Sequence, residues 1–353
     1  MIVVTEKMVS GGASRVKERQ SGMELLRIIA MFLVLVVHAG FFSLGSPSFE
    51  DVHTNSLSSF TRIFFQSLSI GCVDMFVLLS GWFGIRPKKK GFLSFVYQCA
   101  FFLFGIYAVC LVFGLSPLNK KGIAGCLLLL NWNWFIKAYL LLYILSPVLN
   151  AFIDSSTEKQ HRMVLIAFFL FQTFYSWFSD AAIFFEKGYS TISFIGLYML
   201  ARYASKYKER VLTWKRCWYL CFFIVSVLLL ALLYYLASYY RVDILRTRML
   251  RYDNPLVILS AFSFVVYFSK LSFKSTIVNW IAASSFAVFL LHTNPNLCKT
   301  YFTPAIRYLF KTFSGVECLL FIFLFLTAIY LLAIVLDQIR KLTWNCLCKL
   351  CDI

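Results

Sequence analysis

Long apolar runs separated by short polar segments make up most of this chain. A helix needs about 20 apolar residues to cross the hydrocarbon core of a bilayer. Runs of roughly that length occur at 22–43, 61–85, 91–114, 126–149, 162–179, 189–205, 215–238, 254–270, 279–295 and 316–338. The pattern predicts an all-α fold: a polytopic membrane helix bundle with about ten transmembrane helices.

One stretch, 121–153, allows two interpretations. It forms either one long tilted helix or a surface turn followed by a span that begins near Trp132. The choice matters because one extra or missing span reverses the side of the membrane assigned to every later loop.

The composition agrees with a membrane protein, since 60% of the 353 residues are hydrophobic and a soluble domain of this size could not bury them. The net charge of +18 comes from basic residues in short clusters between apolar runs, which argues against a nucleic-acid partner. Most of the 11 cysteines lie within apolar runs. We interpret Cys346, Cys348 and Cys351 as interfacial residues, with palmitoylation or metal binding as less favoured alternatives.

The distribution of charge predicts the orientation of the bundle. With the N-terminus inside, the cytoplasmic side receives "RPKKK" at 86–90, the basic segment 202–216, Lys270, Lys274 and the tail from Arg340. The opposite side receives the loop 43–56, which carries no lysine or arginine, as the positive-inside rule requires. The arginines at 241–251 are the exception, because this count places them outside.

The predicted organisation is therefore a cytosolic N-terminal tail at 1–20, a transmembrane domain at 21–340 and a cytosolic C-terminal tail at 341–353. The first 20 residues are too polar for a signal peptide. Both termini are expected in the cytoplasm.

The first span carries two ionisable residues within "LLRIIAMFLVLVVHAG". Arg27 and His38 are eleven positions apart, so they share one helix face and lie about 16 Å apart along the axis. Glu24 is placed to pair with Arg27. Taken alone, Arg27 fits an interfacial anchor and His38 fits a hydrogen-bonded core histidine. Together they indicate a polar path, in which a neutral histidine can accept a proton.

The stretch "MELLRIIAMFLVLVVHAG" resembles the opening helix of the membrane acyltransferase 3 family, whose signature is an arginine or lysine, ten residues and a histidine. "MFVLLSGWFGI" is similar to the family's "FFVLSGY" segment, with Trp82 replacing the usual tyrosine or phenylalanine. The family often has two arginines spaced three apart after this helix. Here Arg86 is followed by Lys89, which keeps the charge but lacks a bidentate guanidinium.

Two later segments extend the resemblance. "NWNWFIKAYLLLYILSPVLN" looks like the family's tryptophan–tyrosine–proline helix and contains Trp132 and Trp134. Either tryptophan also fits an interfacial aromatic belt, and for Trp132 we favour that interpretation. "SSFAVFLLHTNP" is similar to the family's late leucine–histidine segment and places His292 at the outer end of the ninth predicted span.

The resemblance implies a membrane O-acyltransferase that moves an acyl group, most often acetyl, from cytoplasmic acyl-CoA to a hydroxyl of a surface or lipid-linked polysaccharide. His38, Asp74 and Arg27 are then the expected catalytic residues. Arg27, Arg86 and Lys89 are expected to bind the CoA donor, and Trp134 and His292 the acceptor. Acetyl-CoA is a substrate here rather than a bound cofactor, and no metal is expected. The expected location is the bacterial cytoplasmic (inner) membrane as a multi-pass protein, with a homodimer possible.

The catalytic assignments retain open points. His38 is expected to act as the base that deprotonates the acceptor, either directly or after carrying the acyl group itself. Asp74, an acid inside the second span, is expected to orient or charge-stabilise His38. Its alternative is a structural partner for an arginine or histidine on a neighbouring helix. His53 and His161 fall in polar loops and receive no role.

Two other functions fit a bundle of this kind. A glycan or lipid-linked sugar transporter (flippase) also has many spans and intramembrane charges, but no inverted repeat or matching pair of interrupted helices is evident. A polysaccharide polymerase is expected to carry a large outer loop, and the longest outer segment here covers only 292–315.

Overall fold

The computed structural model describes residues 19–127, 133–179 and 184–351. This part of the chain consists of helices and connecting loops, with no strand. The predicted all-α class is therefore confirmed. Trp132 and all but the last two residues of the predicted tail 1–20 lie outside the described residues, as do residues 352–353.

Eighteen α-helices lie in the described ranges. In chain order they are α1 (Ser21–Val37), α2 (Phe49–Thr54), α3 (Ser56–Ser69), α4 (Cys72–Phe83), α5 (Lys89–Val112), α6 (Lys120–Leu127), α7 (Trp134–Ser155), α8 (Glu158–Gln172), α9 (Thr191–Lys206), α10 (Lys208–Val211), α11 (Arg216–Tyr239), α12 (Asp243–Met249), α13 (Pro255–Ser269), α14 (Thr276–Ala282), α15 (Ser285–His292), α16 (Pro295–Leu297), α17 (Thr303–Thr312) and α18 (Gly315–Leu350). π-Helical segments follow α1 at His38–Phe42, α8 at Thr173–Phe178 and α16 at Cys298–Phe302, and a 3₁₀ turn covers Glu186–Gly188.

Six helical segments of the described chain are long and apolar enough to cross a membrane. They are Ser21–Phe42, Ser56–Phe83, Lys89–Val112, Trp134–Ser155, Arg216–Tyr239 and Gly315–Leu350. A seventh is counted if Thr276–His292 and Pro295–Thr312, which are bent by 55° relative to each other, form one broken span. The chain is therefore a multi-pass membrane protein, but the expected total of about ten spans is not confirmed.

Three predicted spans are not among these segments. The run at 162–179 corresponds to α8 and the π-helical segment that continues it to Phe178, and the runs at 189–205 and 254–270 correspond to α9 and α13, which have only 16 and 15 residues. The sequence pattern marks the apolar runs correctly but does not show where each helix ends.

The ambiguous stretch 121–153 contains a helix start rather than one continuous helix. Asn133 has an extended backbone, and its side-chain oxygen accepts a hydrogen bond from the Phe135 N–H at 3.0 Å. Such an N-cap satisfies one of the unpaired amides at a helix start. The interpretation with a separate span beginning near Trp132 is therefore the correct one, and that helix starts at Trp134.

α1 lies in the interior of the bundle and packs against α3, α4, α13, α14, α15 and α18. The close approach of α4 to α9 depends on Gly81. A Cβ atom at Gly81 would lie 2.5 Å from the Tyr198 carbonyl oxygen and 2.9 Å from the Cβ of Ala201. Small residues of this kind let helix backbones pack closely in a membrane, where van der Waals contact is the main force between helices.

The basic loops gather at one end of the bundle, which we call the basic end. It comprises the loop 84–90, Arg202, the segment 206–216 and the start of α1. Gly22 of α1 lies against the carbonyl oxygens of Phe268 and Leu271, and Lys270 Nζ donates to the Leu212 carbonyl oxygen at 2.7 Å. The start of α1 and the basic segment after α9 therefore share this end.

At the opposite end, three arginines hold the loop 43–47 that follows the first span. Arg62 Nη2 donates to the Gly45 carbonyl at 2.7 Å, Arg246 Nη2 to the Pro47 carbonyl at 2.6 Å, and Arg307 Nε to the Ser43 carbonyl at 2.7 Å. They come from α3, α12 and α17. Because carbonyls near a helix C-terminus carry partial negative charge, these contacts account for Arg246 in the cluster at 241–251.

Another arginine of that cluster is buried. Arg251 forms a two-point ion pair with Asp253, at 2.9 Å from Nε and 2.7 Å from Nη2, and its Nη2 also contacts Ser176. The arginines that broke the positive-inside pattern thus include residues that stabilise this end of the bundle.

The packing at Gly81 gives the first prediction. Gly81→Ala should destabilise the protein by about 1–3 kcal/mol, because the added methyl group overlaps the backbone of α9. We expect a lower melting temperature in thermal unfolding of the detergent-purified protein.

Gly105→Ala is the matched control, because no atom lies within 4 Å of a Cβ placed at Gly105 in α5. This change should be neutral or slightly stabilising, since alanine favours a helix more than glycine does. Equal melting temperatures for the two variants would show that α4 and α9 are not in close contact.

Candidate active site

Two histidines meet where the first span ends. His38 Nδ1 lies 2.9 Å from His292 Nε2, and the ring centroids are 4.9 Å apart. His292 is the last residue of α15 and is buried, whereas His38 is half-buried. The sequence placed these residues in the first and ninth predicted spans, and their direct contact was not anticipated.

The hydrogen-bond network assigns the tautomer of each ring. His292 Nδ1 lies 2.6 Å from the Val288 carbonyl oxygen, which only accepts, so Nδ1 carries the proton. In a neutral His292 the other nitrogen, Nε2, is then an acceptor. His38 Nδ1 therefore donates to it, which leaves His38 Nε2 unprotonated. In the described part of the chain His38 Nε2 makes no hydrogen bond, so its lone pair is open to a substrate proton.

A change of helix type positions His38. α1 turns into the π-helical segment at His38, and Gly40 departs from helical geometry with ψ of −120°. A Cβ atom at Gly40 would lie 2.7 Å from Gln66 Oε1, which accepts the Phe41 N–H at 3.2 Å. Ser43 Oγ donates to the His38 carbonyl at 2.6 Å. Single π-helical turns of this kind occur frequently at functional sites.

His292 is positioned by the break that follows α15. The Asn294 side chain accepts the Asn296 N–H at 3.0 Å, and Pro295 begins the next short helix. The rings of Phe289 and Phe302 lie 6.1 and 5.6 Å from that of His292. Packed aromatic rings therefore limit the movement of this imidazole.

Arg27 occupies the same helix face as His38, nearer the basic end. It is buried and forms an ion pair with Glu24, as the sequence predicted, while its Nε has no hydrogen-bond partner in the described structure. The hydroxyl groups of Tyr139 and Tyr330 interact electrostatically with its guanidinium. Each tyrosine also contacts a serine hydroxyl, Ser80 at 3.2 Å and Ser285 at 2.9 Å. Arg27 thus lies in a polar environment formed by four helices besides its own.

Asp74 is buried in α4, but it does not contact His38. The described structure shows no hydrogen bond from any arginine or histidine to Asp74, and Oδ2 is buried without a partner. Its charged neighbour is Asp253, which is bound by Arg251. His292 makes the contact to His38 that we expected from Asp74, so a direct role for Asp74 in orienting His38 is not supported. Its catalytic role stays a prediction.

Arg86 and Lys89 lie at the basic end, away from the histidine pair, and both are exposed. Their loop is held by the bundle at three points. Tyr198 Oη accepts the Ile85 N–H at 3.0 Å, Asn150 Nδ2 donates to the Ile85 carbonyl at 2.8 Å, and Tyr143 Oη accepts the Lys88 N–H at 3.1 Å. The fold therefore presents this basic loop in a fixed position.

Two small cavities lie between α5 and α7. One, of about 10 Å³, is lined by Phe92, Phe95, Tyr139 and Tyr143 and lies nearer the basic end. The other, of about 30 Å³, is lined by Cys99, Phe102, Leu103, Asn133, Ile136, Leu290, Thr293, Asn294 and Pro295. Tyr139 lines the first cavity and also belongs to the surroundings of Arg27, so the gap between α5 and α7 adjoins the polar region around Arg27.

Trp134 lies near the histidine pair without touching it. Its ring is half-buried and packs against Tyr189 at 4.5 Å and Tyr252 at 6.1 Å. Phe135 and Phe289, whose rings are 5.4 Å apart, lie between Trp134 and His292. Binding of an acceptor by Trp134 stays a prediction.

The remaining histidine assignments need one correction. His161 does not lie in a polar loop: it is fully buried on α8, and neither ring nitrogen has a hydrogen-bond partner in the described structure. No group of three or more metal-binding side chains occurs among the described residues, Cys346, Cys348 and Cys351 included.

The sequence model of a known family, described as an acyltransferase domain, matches residues 20–338. The match covers nearly the whole transmembrane part, including both histidines and Arg27. The chain belongs to the acyltransferase 3 family. No curated protein and no solved structure shows a significant match. As a member of this family the protein is a membrane acyltransferase.

The buried ion pair gives the second prediction. Glu24→Gln should destabilise this acyltransferase by about 3–5 kcal/mol, because it leaves the Arg27 cation buried without a counter-charge. The double variant Glu24→Gln with Arg27→Gln should recover much of that loss in thermal unfolding. It should nevertheless remain inactive in acyl transfer if the Arg27 charge is used by the reaction.

Glu158→Gln is the control, because its ion pair with Arg210 is solvent-exposed on the arginine side and should contribute at most about 1 kcal/mol. The interpretation fails if Glu24→Gln unfolds at the wild-type temperature, or if the double variant transfers acyl groups at the wild-type rate.

Proposed function

We propose that this acyltransferase moves an acyl group, most simply acetyl, from acyl-CoA at the basic end to a carbohydrate hydroxyl at the opposite end. The main support is the histidine relay from the Val288 carbonyl through His292 to His38, because it leaves His38 Nε2 unprotonated. A fixed, unprotonated imidazole is the group that acyl transfer to a hydroxyl requires.

The basic end suits an anionic donor. The loop 86–90 carries Arg86, Lys88, Lys89 and Lys90, and CoA brings several phosphate charges. The loop adjoins Tyr143 and the gap between α5 and α7, which leads toward Tyr139 and Arg27. We therefore propose that the nucleotide of the donor binds at the loop and that the thioester extends into the bundle past Arg27.

At the histidine pair, His38 Nε2 accepts the proton of the acceptor hydroxyl while the hydroxyl oxygen attacks the thioester carbonyl. The bond between carbonyl carbon and sulfur breaks, the new ester bond forms, and the proton passes from His38 to the departing sulfur to give free CoA thiol. His292 accepts the Nδ1–H of His38 throughout, so it supports the transient imidazolium as the third member of a catalytic triad does.

The acceptor is proposed to approach from the end that carries the loop 43–47. Phe42, which is 54% exposed, packs edge-on against His38 with ring centroids 5.2 Å apart, so the histidine lies close to the surface. A surface or lipid-linked polysaccharide fits a site reached from outside the membrane, with Trp134 as a stacking surface. With the basic end cytoplasmic, as the positive-inside rule favours, the location is the bacterial cytoplasmic membrane.

The third prediction concerns the histidine relay. His38→Ala should abolish transfer of labelled acetyl from acetyl-CoA in purified membranes and should leave the surface glycan unmodified, because no base remains. His292→Ala should lower the rate about 10²–10⁴-fold without removing the base itself. Both variants should reach the membrane at wild-type levels.

His53→Ala is the control, since His53 is an exposed histidine whose Nε2 lies 3.1 Å from the Tyr239 carbonyl oxygen. It should transfer acetyl normally. Full acylation by His38→Ala would exclude His38 as the base, and transport of a sugar without any acetyl transfer by the wild type would instead identify a transporter.

Kinetics separate the two possible roles of His38. Direct transfer requires donor and acceptor to bind together, so CoA release should depend on the acceptor and double-reciprocal plots should intersect. Release of stoichiometric CoA without acceptor, with label retained on the protein, would instead show an acyl-histidine intermediate.

A further inference from the structure

Arg202, on α9 at the basic end, is unusual among the partly buried arginines because its donors are not used. It makes no hydrogen bond in the described structure, and its Nε is buried without a partner. The nearest carboxylate oxygen, of Asp154, lies 3.9 Å from Nη2 on a side chain that is 71% exposed. That distance exceeds a hydrogen bond, and an exposed acid contributes little to holding the guanidinium.

The contrast with other arginines is clear. Arg251 is bound by Asp253, Arg340 by Asp337, and Arg246 by a main-chain carbonyl. Each of these guanidinium groups has a polar acceptor within 3 Å in the folded protein. Only Nε of Arg202 is buried, and the side chain is 21% exposed, so its two Nη groups can be reached from the water and are open to a ligand that supplies acceptors.

The position of Arg202 indicates what that ligand is. Its guanidinium lies directly against Gly84, with Nη1, Cζ and Nε at 3.2, 3.3 and 3.5 Å from the place a Cβ would occupy. Gly84 has φ of +74°, which suits glycine and turns the chain into the basic loop. Arg202 thus lies beneath the loop that carries Arg86 and Lys89, although it is more than a hundred residues away in sequence.

We propose that Arg202 binds a phosphate group of the CoA nucleotide, together with the basic loop. This inference rests on the proposed use of acyl-CoA at the basic end and adds a residue on α9 to the donor site. A planar guanidinium with open donors binds phosphate oxygens at two points, whereas the lysines of the loop provide charge without that geometry. Lys89 stands where the family often has a second arginine. Arg202, from another helix, thereby supplies the guanidinium that this position of the loop lacks.

A phosphate near the membrane surface has two sources, a CoA nucleotide or a lipid headgroup. The nucleotide is favoured because Arg202 adjoins the loop that leads into the gap between α5 and α7, and that gap reaches Tyr139 beside Arg27. A lipid bound only for anchoring would not require contact with this loop.

The test is equilibrium binding of CoA to the full-length protein in nanodiscs of neutral phosphatidylcholine. Arg202→Gln should raise the Kd for CoA about tenfold, the loss expected for one charged hydrogen-bonding contact. Pantetheine lacks the phosphates and the nucleotide, so its inhibition constant against labelled CoA should be the same in wild type and variant. An unchanged inhibition constant also shows that the variant is folded. Arg202→Lys should give an intermediate Kd.

Arg210→Gln is the matched control, an exposed arginine four residues beyond the end of α9 whose partner is Glu158. It should bind CoA as the wild type does. Unchanged CoA affinity in Arg202→Gln overturns the inference, as does a loss that appears only when anionic lipid is included in the nanodisc, since the ligand is then a lipid phosphate. If the wild type itself does not bind CoA, the proposed donor is wrong, which is a separate result.

Discussion

The hydrogen bond between His38 and His292 is the contact on which the rest of the site depends. It joins the first span to α15 through two histidines that are 254 positions apart in the sequence. Together with the Val288 contact, it makes one nitrogen of each ring a donor and the other an acceptor. Because His292 is itself anchored on the Val288 carbonyl, the direction of the relay is set by the backbone of α15. The π-helical turn after α1 and the break after α15 bring the two rings together, so these irregularities are part of the proposed catalytic geometry.

The low dielectric of the bundle explains how the other ionisable groups are arranged. Arg27 is buried, and it is accompanied by Glu24 and by tyrosine hydroxyls. Asp253 is buried and bound by Arg251. Asp74 is buried, and no cation among the described residues pairs with it. It does not contact His38, whereas His292 does, so His292 is the better candidate for the partner of His38.

The sequence was sufficient for the class of fold and for the first helix, and it was insufficient for contacts between distant helices. The spacing of Arg27, His38 and Glu24 follows from helical periodicity, and the structure shows the Glu24 pair as expected. The expected number of about ten spans is not confirmed, because the sequence pattern does not show where helices such as α9 and α13 end. The His38–His292 contact and the position of Arg202 beneath Gly84 are tertiary facts, and no periodicity within one helix indicates them.

The two ends of the bundle use arginine in different ways, and that difference supports the proposed direction of transfer. At the end opposite the basic end, Arg62, Arg246 and Arg307 donate hydrogen bonds to main-chain carbonyls of the loop 43–47. These bonds fix the backbone that follows His38. At the basic end, Arg202 keeps its donors open beside a loop with four further cations. Arginines bound to carbonyls of the chain itself suit the end where, in the proposed reaction, a glycan hydroxyl has to reach a rigid base. Open guanidinium donors suit the end where we propose that a polyphosphate ligand binds, because such a ligand supplies the hydrogen-bond acceptors that Arg202 lacks in the fold.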